Sequence, residues 1–392
     1  MRSPGAPAAR PCPRVREILF VAGEVSGDLH AAAVVRALRG AEPRFALTGV
    51  GGDAMRDAGA TLLEHTASVA VMGFVEPLKH IPRFYRLRGE LRRRIRSGNV
   101  ALVVLVDSAG FNMRVAQYAA DAGVPVLYFI TPQVWASRPG RLATLARTVT
   151  RAAVILPFEE QLLRDHGIDA MFVGHPLLDR ALNLPDRDAA RRALDVGPDE
   201  RLLALFPGSR AQEIARHLDP FVAAARELQR RDPKLRVVVS SAPHVTIPPE
   251  RCPFPLVQSA SFAVLRAADA AICKSGTTTL EAAIALCPLV VAYRTSAFEY
   301  AIARRLVKIP FIALVNIVAG REVAREFVQD ALQPNALADA LEPLLDHHHV
   351  QRKVLVEQLR AVRDALGEPG AATRVAAMIL EMVGVTPAST VR

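Results

Sequence analysis

Residues 202–214 read LLALFPGSRAQEI: the apolar run Leu202 to Phe206 stops at Pro207-Gly208, and an amphipathic segment opens near Ser209. Apolar strand, tight turn and helix in direct succession commit this stretch to the β–α grammar of a parallel sheet. A helix that begins there presents unpaired backbone N–H groups and the positive end of its dipole. Arg210 adds a planar fork suited to phosphate oxygens. The turn therefore reads as an anion site; these residues leave open the alternative of an ordinary capped turn with a solvent-facing arginine.

The same alternation runs through both halves of the chain. Strands are expected at Glu17–Ala22, Phe45–Val50, Ala101–Val106, Pro125–Ile130, Ala152–Leu156 and Met171–Gly174, and again at Leu202–Phe206, Leu235–Ser240, Pro255–Gln258, Ala270–Cys273 and Leu289–Tyr293. Several are near-continuous apolar runs, as strands buried on both faces of a parallel sheet must be. With 392 residues and 51% hydrophobic content the chain can bury two cores, so the expected architecture is two facing, doubly wound α/β domains. Residues 1–14, rich in Pro, Ala and Arg, read as a disordered tail; 15–180 form the first domain and 181–350 the second, joined through Pro185 and Asp186. Helices predicted at 351–366 and 371–383 belong to a closing unit, 351–392, expected to pack back towards the first domain.

Composition removes some classes of function. Cys12, Cys252, Cys273 and Cys287 show no paired spacing, which argues against a disulfide framework or zinc knuckle and for a reducing compartment. Neither a signal peptide nor an 18-residue apolar span is evident, so a cytoplasmic protein is expected. The net charge of +10 favours anionic partners without choosing among nucleic acid, anionic lipid and phosphorylated substrate. Aromatic content of 5% and the lack of a recognisable module argue against nucleic acid.

The candidate chemistry sits in turns after strands. GEVSGD, Gly23 to Asp28, is not a P-loop, because Asp28 stands where that motif needs a basic residue and Glu24 adds a second carboxylate. Glu24, Ser26 and Asp28 suit the hydroxyls of a sugar; the alternative is that Ser26 or Asp28 caps the following helix. Asp107 ends an apolar strand at the edge where ligands of open parallel sheets lie, with Ser108 to Asn112 after it; it too has a capping alternative. His175 is open between a site or hinge histidine and a helix-start histidine. In KSGTTTLEAAIAL, Lys274 to Leu286, Gly276 permits close backbone approach, Thr277 to Thr279 supply donors, and Glu281 can accept both hydroxyls of a ribose.

Two apparent metal motifs carry less. Asp186-Arg187-Asp188 follows a proline where a first helical turn favours acids, and Asp346 with His347, His348 and His349 lies in a charged loop, so no metal site is expected. From Lys79 to Arg96, seven arginines interleave with Phe84, Leu87, Leu91 and Ile95 at helical spacing. This basic amphipathic helix fits either docking on an anionic membrane or a solvated face with a core stripe.

Taken together, AGEVSGDLHAA, GVGGDAM, VMGFVEPL, the Asp107 segment ending Phe111-Asn112, YFITPQVWA, ILPFEE, FVGHPLLD, FPGSRAQEI and SGTTTLEAA, in this order between residues 22 and 283, resemble lipid-A-disaccharide synthase, an inverting glycosyltransferase of the GT-B type. The resemblance implies a GT-B fold with a cleft between two Rossmann-like domains. It also implies transfer of 2,3-diacylglucosamine from UDP-2,3-diacylglucosamine to the 6-hydroxyl of 2,3-diacylglucosamine 1-phosphate, giving a β-1,6-linked disaccharide and UDP without cofactor or metal. On the same ground Asp107 is the general base. Glu24, Ser26, Asp28, Met72, Glu76 and Asn112 face the acceptor, and Gly208, Ser209, Arg210 and Glu213 the diphosphate. Ser275, Gly276, Thr277 and Glu281 face the uridine side, with Asn316, Glu326 and Gln329 as further donor contacts, the last two on a following helix. The resemblance places the protein at the inner leaflet of the inner membrane, bound to its anionic surface, and leaves a homodimer open. The chain departs from the family in having Ala109-Gly110 in place of a proline-aspartate pair, and Val315 in place of a proline, which implies a looser loop. The nearest rivals are another GT-B UDP-N-acetylhexosamine transferase or a UDP-sugar epimerase, which would turn over unacylated sugars equally well.

Overall fold

The structure, a computed structural model, describes residues 16–66, 77–137, 139–242, 245–258, 260–306 and 309–385. The first sheet is built from β1 (Glu17–Ala22), β2 (Ala46–Gly51), β3 (Thr61–His65), β4 (Val100–Val106), β5 (Val126–Phe129), β6 (Arg151–Val154) and β7 (Asp169–Phe172). Its helices include α1 (Val25–Ala41), α2 (Asp53–Asp57), α3 (Pro77–Arg96), α4 (Ala109–Asp121) and α5 (Pro157–Arg164). After α6 (Pro176–Ala181) the second sheet takes β8 (Leu202–Phe206), β9 (Arg236–Ser241), β10 (Leu256–Gln258), β11 (Ala270–Lys274), β12 (Leu289–Tyr293) and β13 (Glu326–Val328). Among its helices are α7 (Ala211–Arg231), α8 (Ser261–Ala267), α9 (Thr278–Ala285) and α10 (Leu314–Ala319), and the chain closes with α11 (Val350–Ala365) and α12 (Ala371–Met382).

Strand order is β3-β2-β1-β4-β5-β6-β7 in one sheet and β10-β9-β8-β11-β12-β13 in the other. Every recorded pairing is parallel, for instance Val21 with Val50 and with Leu105, and Leu205 with Val239 and with Ile272. Each sheet reverses its winding at one point, between β1 and β4 and between β8 and β11, and a crevice opens beyond the carboxyl ends of those strands. Gly23–Asp28 and Asp107 flank the first reversal; Pro207–Arg210 and Lys274–Thr277 flank the second. β1, β4, β8 and β11 are apolar and almost wholly buried, which is why they read so clearly. The edge strands β3 and β13 escaped the sequence reading, since TLLEH and EFV are short, half-exposed and interrupted by acids.

The chain crosses between lobes twice, and the crossings bond to each other: the His175 N–H donates to the Leu366 carbonyl at 2.9 Å. Gly174, at φ +77, packs so closely that a Cβ would lie 2.7 Å from the Glu368 carbonyl. After the second crossing the closing helices part company. Leu355, Leu359 and Val362 of α11 join the second core, whereas Val375, Ala376 and Ile379 of α12 pack with α1 in the first. Val375 and Ile379 are fully buried there, each contributing about 1.5–3 kcal/mol as an upper estimate.

In α3 the residues Leu87, Leu91 and Ile95 point into the first core, while Arg83, Arg86, Arg92, Arg93 and Arg96 stay exposed. The described part of the apolar stripe is therefore core, and the outer face carries these arginines and Tyr85. Asp186 caps a helix by accepting from Ala189 N at 2.7 Å, and Arg187 turns to Asp269. Cys252, Cys273 and Cys287 are buried and free.

Candidate active site

β4 delivers Asp107 to the crevice in a costly conformation: Asp107 and Ser108 are both left-handed, at φ 53 and 46. Each such residue costs about 1–3 kcal/mol unless its surroundings hold it. Here they do. The Asp107 carbonyl accepts from Tyr128 Oη and from Asn112 Nδ2, both at 2.8 Å, and the Asp107 N–H donates to the Phe129 carbonyl at 3.1 Å. Burial raises the Asp107 pKa, opposed in part by the Ser108 N–H and the Ser26 hydroxyl, which favour the carboxylate. Asp107 is thus strained and desolvated, with one N–H and one hydroxyl on its carboxylate. Glu24 beside it is also raised, by burial and by the charge of Asp107, while Arg210 from the other lobe pulls it down. Asp107 and Arg210 thus act on the same carboxylate from either lobe.

The second lobe contributes two helix starts. Gly208, at φ +130, makes the turn after β8; a Cβ there would lie 2.5 Å from Glu213 Cβ, so only glycine fits. The Glu213 carboxylate folds back to accept from Ser209 N at 2.9 Å and Arg210 N at 3.3 Å, and Lys274 Nζ stands 3.0 Å away. Burial opposes its charge, but Lys274, the Ser209 N–H and Arg210 win, and its pKa is lowered. Glu213 with Phe206, Gly208, Ser209, Lys274, Gly276, Thr277 and Glu281 lines a cavity of about 280 Å³. Glu281 at its far wall is buried, which raises its pKa against the Ser261 hydroxyl and the Arg180 charge.

A second cavity of about 280 Å³ spans the lobes, with Ser26, His30 and Asp107 on one side and Thr277, Glu281 and Leu314 on the other. Its floor carries His175, which the sequence left open, and His30 and Glu159, which it did not single out. Burial, aided by Arg180, lowers His30 to about 4. Burial, aided by His30, lowers His175 to about 3. Both imidazoles are therefore neutral near pH 7. His175 also caps α6 by accepting from Leu177 N at 3.1 Å, so it is both a helix-start and a cleft histidine. Glu159 accepts from Trp135 Nε1 at 3.0 Å, fastening the loop of Thr131 to Gln133, and burial pushes it up to about 7.

Several expected contact residues turn inwards. Asp28 accepts from Gly52, Ala54 and Met55 N–H groups at 2.6, 3.1 and 3.1 Å, so it caps α2 rather than meeting a sugar. Asn112 is fully buried and donates to the Val21, Val106 and Asp107 carbonyls, so it steadies the Asp107 backbone and does not open to the cleft. The Asn316 amide is saturated: it donates to Ala324 O and Glu326 Oε1 and accepts from Val323 N and Ala324 N. Glu326, on a strand rather than the expected helix, also accepts from Ile312 N and Ala313 N. Ser275 Oγ donates to Ile312 O at 2.7 Å, so this group shapes the segment that presents Leu314 to the cleft. Val315 is wholly buried at the start of α10, in a helix rather than a loop. Gln329, at φ 54 in a short 3₁₀ turn, is bonded both ways to the Thr295 backbone. Glu213 caps α7, as above, and faces the cavity only with its remaining edge. Met72 and Glu76 lie outside the described residues. Arg180 and Ser240-Ser241 at the end of β9 join the cavity lining unannounced, as Tyr128 joins the support of Asp107; the position of the serines at the end of a strand adjoining β8 was the one available signal.

With this geometry in view, similarity to known proteins becomes informative. A family model described as lipid-A-disaccharide synthetase matches residues 18–376. The lipid-A-disaccharide synthase of Trichlorobacter lovleyi is 39% identical over 377 residues, covering 94% of this chain and 98% of the relative. That of Anaeromyxobacter sp. (strain K) is 40% identical over 372 residues, covering 93% and 97%. Among solved structures, the glycotransferase of kitacinnamycin superposes with a TM-score of 0.63 at 18% identity, covering 95% of this chain and all of that one (100%). The UDP-GlcNAc 2-epimerase of Neisseria meningitidis bound to UDP-GlcNAc superposes with a TM-score of 0.61 at 11% identity, covering 93% and 100%. These structural likenesses show the fold, a GT-B pair of Rossmann-like domains.

Proposed function

The chain belongs to the lipid-A-disaccharide synthase family, and from that premise we propose how its cleft performs the transfer. It is a glycosyltransferase of lipid A biosynthesis, and the family match favours this over the epimerase or another hexosamine transferase. In our reading residues 15–180 take the acceptor, 2,3-diacylglucosamine 1-phosphate, and residues 181–350 the donor, UDP-2,3-diacylglucosamine. Asp107 removes the proton of the acceptor 6-hydroxyl as that oxygen bonds the anomeric carbon on the face opposite UDP. The bond from that carbon to the diphosphate breaks, UDP leaves with the electron pair, and the configuration inverts. Charge growing on UDP meets the amide ends of α7 and α9, Arg210 and Lys274. Glu281 accepts from the ribose hydroxyls; Glu24 and Ser26 contact the acceptor sugar.

One observation carries this reading: a strained, desolvated Asp107 and the Thr277–Glu281 helix start line the same interlobe cavity. The test is incubation with both acylated substrates in EDTA, comparing wild type with Asp107→Ala. Disaccharide and UDP from the wild type, and near absence of both from the variant, are expected. Equal turnover by the two proteins rules out Asp107 as base.

We further propose that the protein works on the cytoplasmic face of the inner membrane, held there by charge. No helix among the described residues is long and apolar enough to cross a membrane. The exposed arginines of α3 supply about 1 kcal/mol each near an anionic surface. Co-sedimentation with anionic vesicles that persists after Arg86, Arg93 and Arg96 are changed to Glu would refute it.

A further inference from the structure

Arg180 stands on α6 where the two cavities meet, and with Thr277 and Glu281 it lines both. Its Nη1 lies 3.4 Å from Glu281 Oε1, and its guanidinium carbon 5.4 Å from the centroid of the Phe262 ring. The ion pair is lopsided: the Glu281 side chain is 8% exposed and that of Arg180 56%. One long contact on a half-exposed cation holds it weakly. Glu281 is also the carboxylate that, in the reading above, accepts from ribose hydroxyls. Two hydroxyl donors at that carboxylate replace the arginine as its partners. The freed fork then stands between the anion-binding turns of the second lobe and Asp107 of the first. Its positive charge already reaches the acceptor wall, where it helps to lower His30.

We propose that Arg180 is a phosphate-binding residue of the cleft, paired with Glu281 in the empty enzyme and with a phosphate oxygen of bound substrate once the nucleotide's ribose takes Glu281. The assignment rests on the cleft being the nucleotide-sugar transfer site. A planar guanidinium matches phosphate oxygens bidentately, so the exchange replaces one long contact with two short ones. The phosphate has two sources, the donor's diphosphate and the phosphomonoester of the acceptor.

Titration calorimetry of Arg180→Ala and Arg180→Lys with UDP and with uridine, alongside kinetics varying each substrate in turn, separates them. If the diphosphate is the partner, Arg180→Ala weakens UDP about tenfold or more, leaves uridine within about twofold, and Arg180→Lys recovers part of the loss. If the phosphomonoester is the partner, UDP binding holds and the acceptor KM rises by a similar factor. The proposal falls if Arg180→Ala leaves UDP affinity and both KM values within about twofold. It falls equally if uridine is weakened as much as UDP, since the arginine then only shapes the Glu281 pocket. A wild type that makes no disaccharide while Arg180→Ala still weakens UDP but not uridine overturns the reaction reading and keeps this one.

Discussion

Replacing Asp107 with asparagine sets activity and stability against each other. Asparagine adopts the left-handed backbone as readily as aspartate, so φ 53 is kept. Its amide oxygen can still accept from the Ser26 hydroxyl and the Ser108 N–H that now steady the carboxylate. What it cannot do is take a proton. A positioned general base contributes about 10²–10⁴-fold, so kcat should fall by that factor, roughly 3–5 kcal/mol of barrier, with UDP affinity unchanged. Stability moves the other way. Burial raises the Asp107 pKa in the folded protein, so the stabilising, protonated form prevails below the unfolded value of about 3.9, and that stability is lost as pH rises through the folded value. At pH 8 the wild type carries the cost of a buried charge that the asparagine variant lacks. The variant should therefore melt higher at pH 8, and the gap should close towards pH 4. UDP release gives kcat, and scanning calorimetry at the two pH values gives the melting temperatures. A kcat within tenfold of wild type would refute the base assignment. A lower melting temperature at pH 8 would mean that Ser26 and Ser108 outweigh desolvation.

Three further substitutions probe separate parts of the structure. Tyr128→Phe removes one of two donors to the Asp107 carbonyl and should cost about 1 kcal/mol of stability; kcat should fall several-fold while the calorimetric Kd for UDP holds. Arg210→Ala, by analogy with a lost transition-state donor, should raise the barrier by about 2.7–4 kcal/mol, read as a drop in kcat. Asp269 is wholly buried among Arg187, Arg191, His347 and the Leu202 N–H, at the opposite end of the sheet from the cleft. Asp269→Ala strands Arg187 and Arg191 and should cost about 3–5 kcal/mol in a denaturant titration of the second lobe.

The strands were legible because they are buried on both faces. Glu17–Ala22, Leu202–Phe206 and Leu289–Tyr293 were placed to the residue, since nothing but apolar side chains fits in the middle of such a sheet. Once two doubly wound sheets are expected, the turns after β1, β4, β8 and β11 are where a site is expected, and position marked Asp107, Gly208 and Glu281 as candidates. Buried polar residues were not legible in the same way. Asp28 and Asn112 follow two of those turns and the resemblance marked Asn316 and Glu326, yet each bonds to backbone groups that local sequence cannot bring together. Asn112 reaches Val21 across a sequence distance of 91 residues. Tyr128 looked like one more apolar residue of β5, and only the fold brings its hydroxyl to the Asp107 carbonyl. Arg180 was one basic residue among 49, with nothing local to mark it.

The position of Arg180 also explains why a site split between two lobes can act as one. Asp107 and its hydrogen-bond partners belong wholly to the first lobe, the Gly208 and Gly276 turns to the second, and each set is bonded within its own lobe. Their mutual distance is therefore set by the crossings. There the His175 N–H meets the Leu366 carbonyl, the Asp179 carboxylate accepts from the Gly370 N–H, and Arg374 Nε donates to the Val173 carbonyl at 2.8 Å. Asp179 and Arg180 are consecutive residues of α6: one grips the returning chain, the other reaches Glu281. α12, by returning to pack against α1, anchors the second crossing to the first lobe, because that crossing cannot shift without disturbing Val375 and Ile379 in the first core.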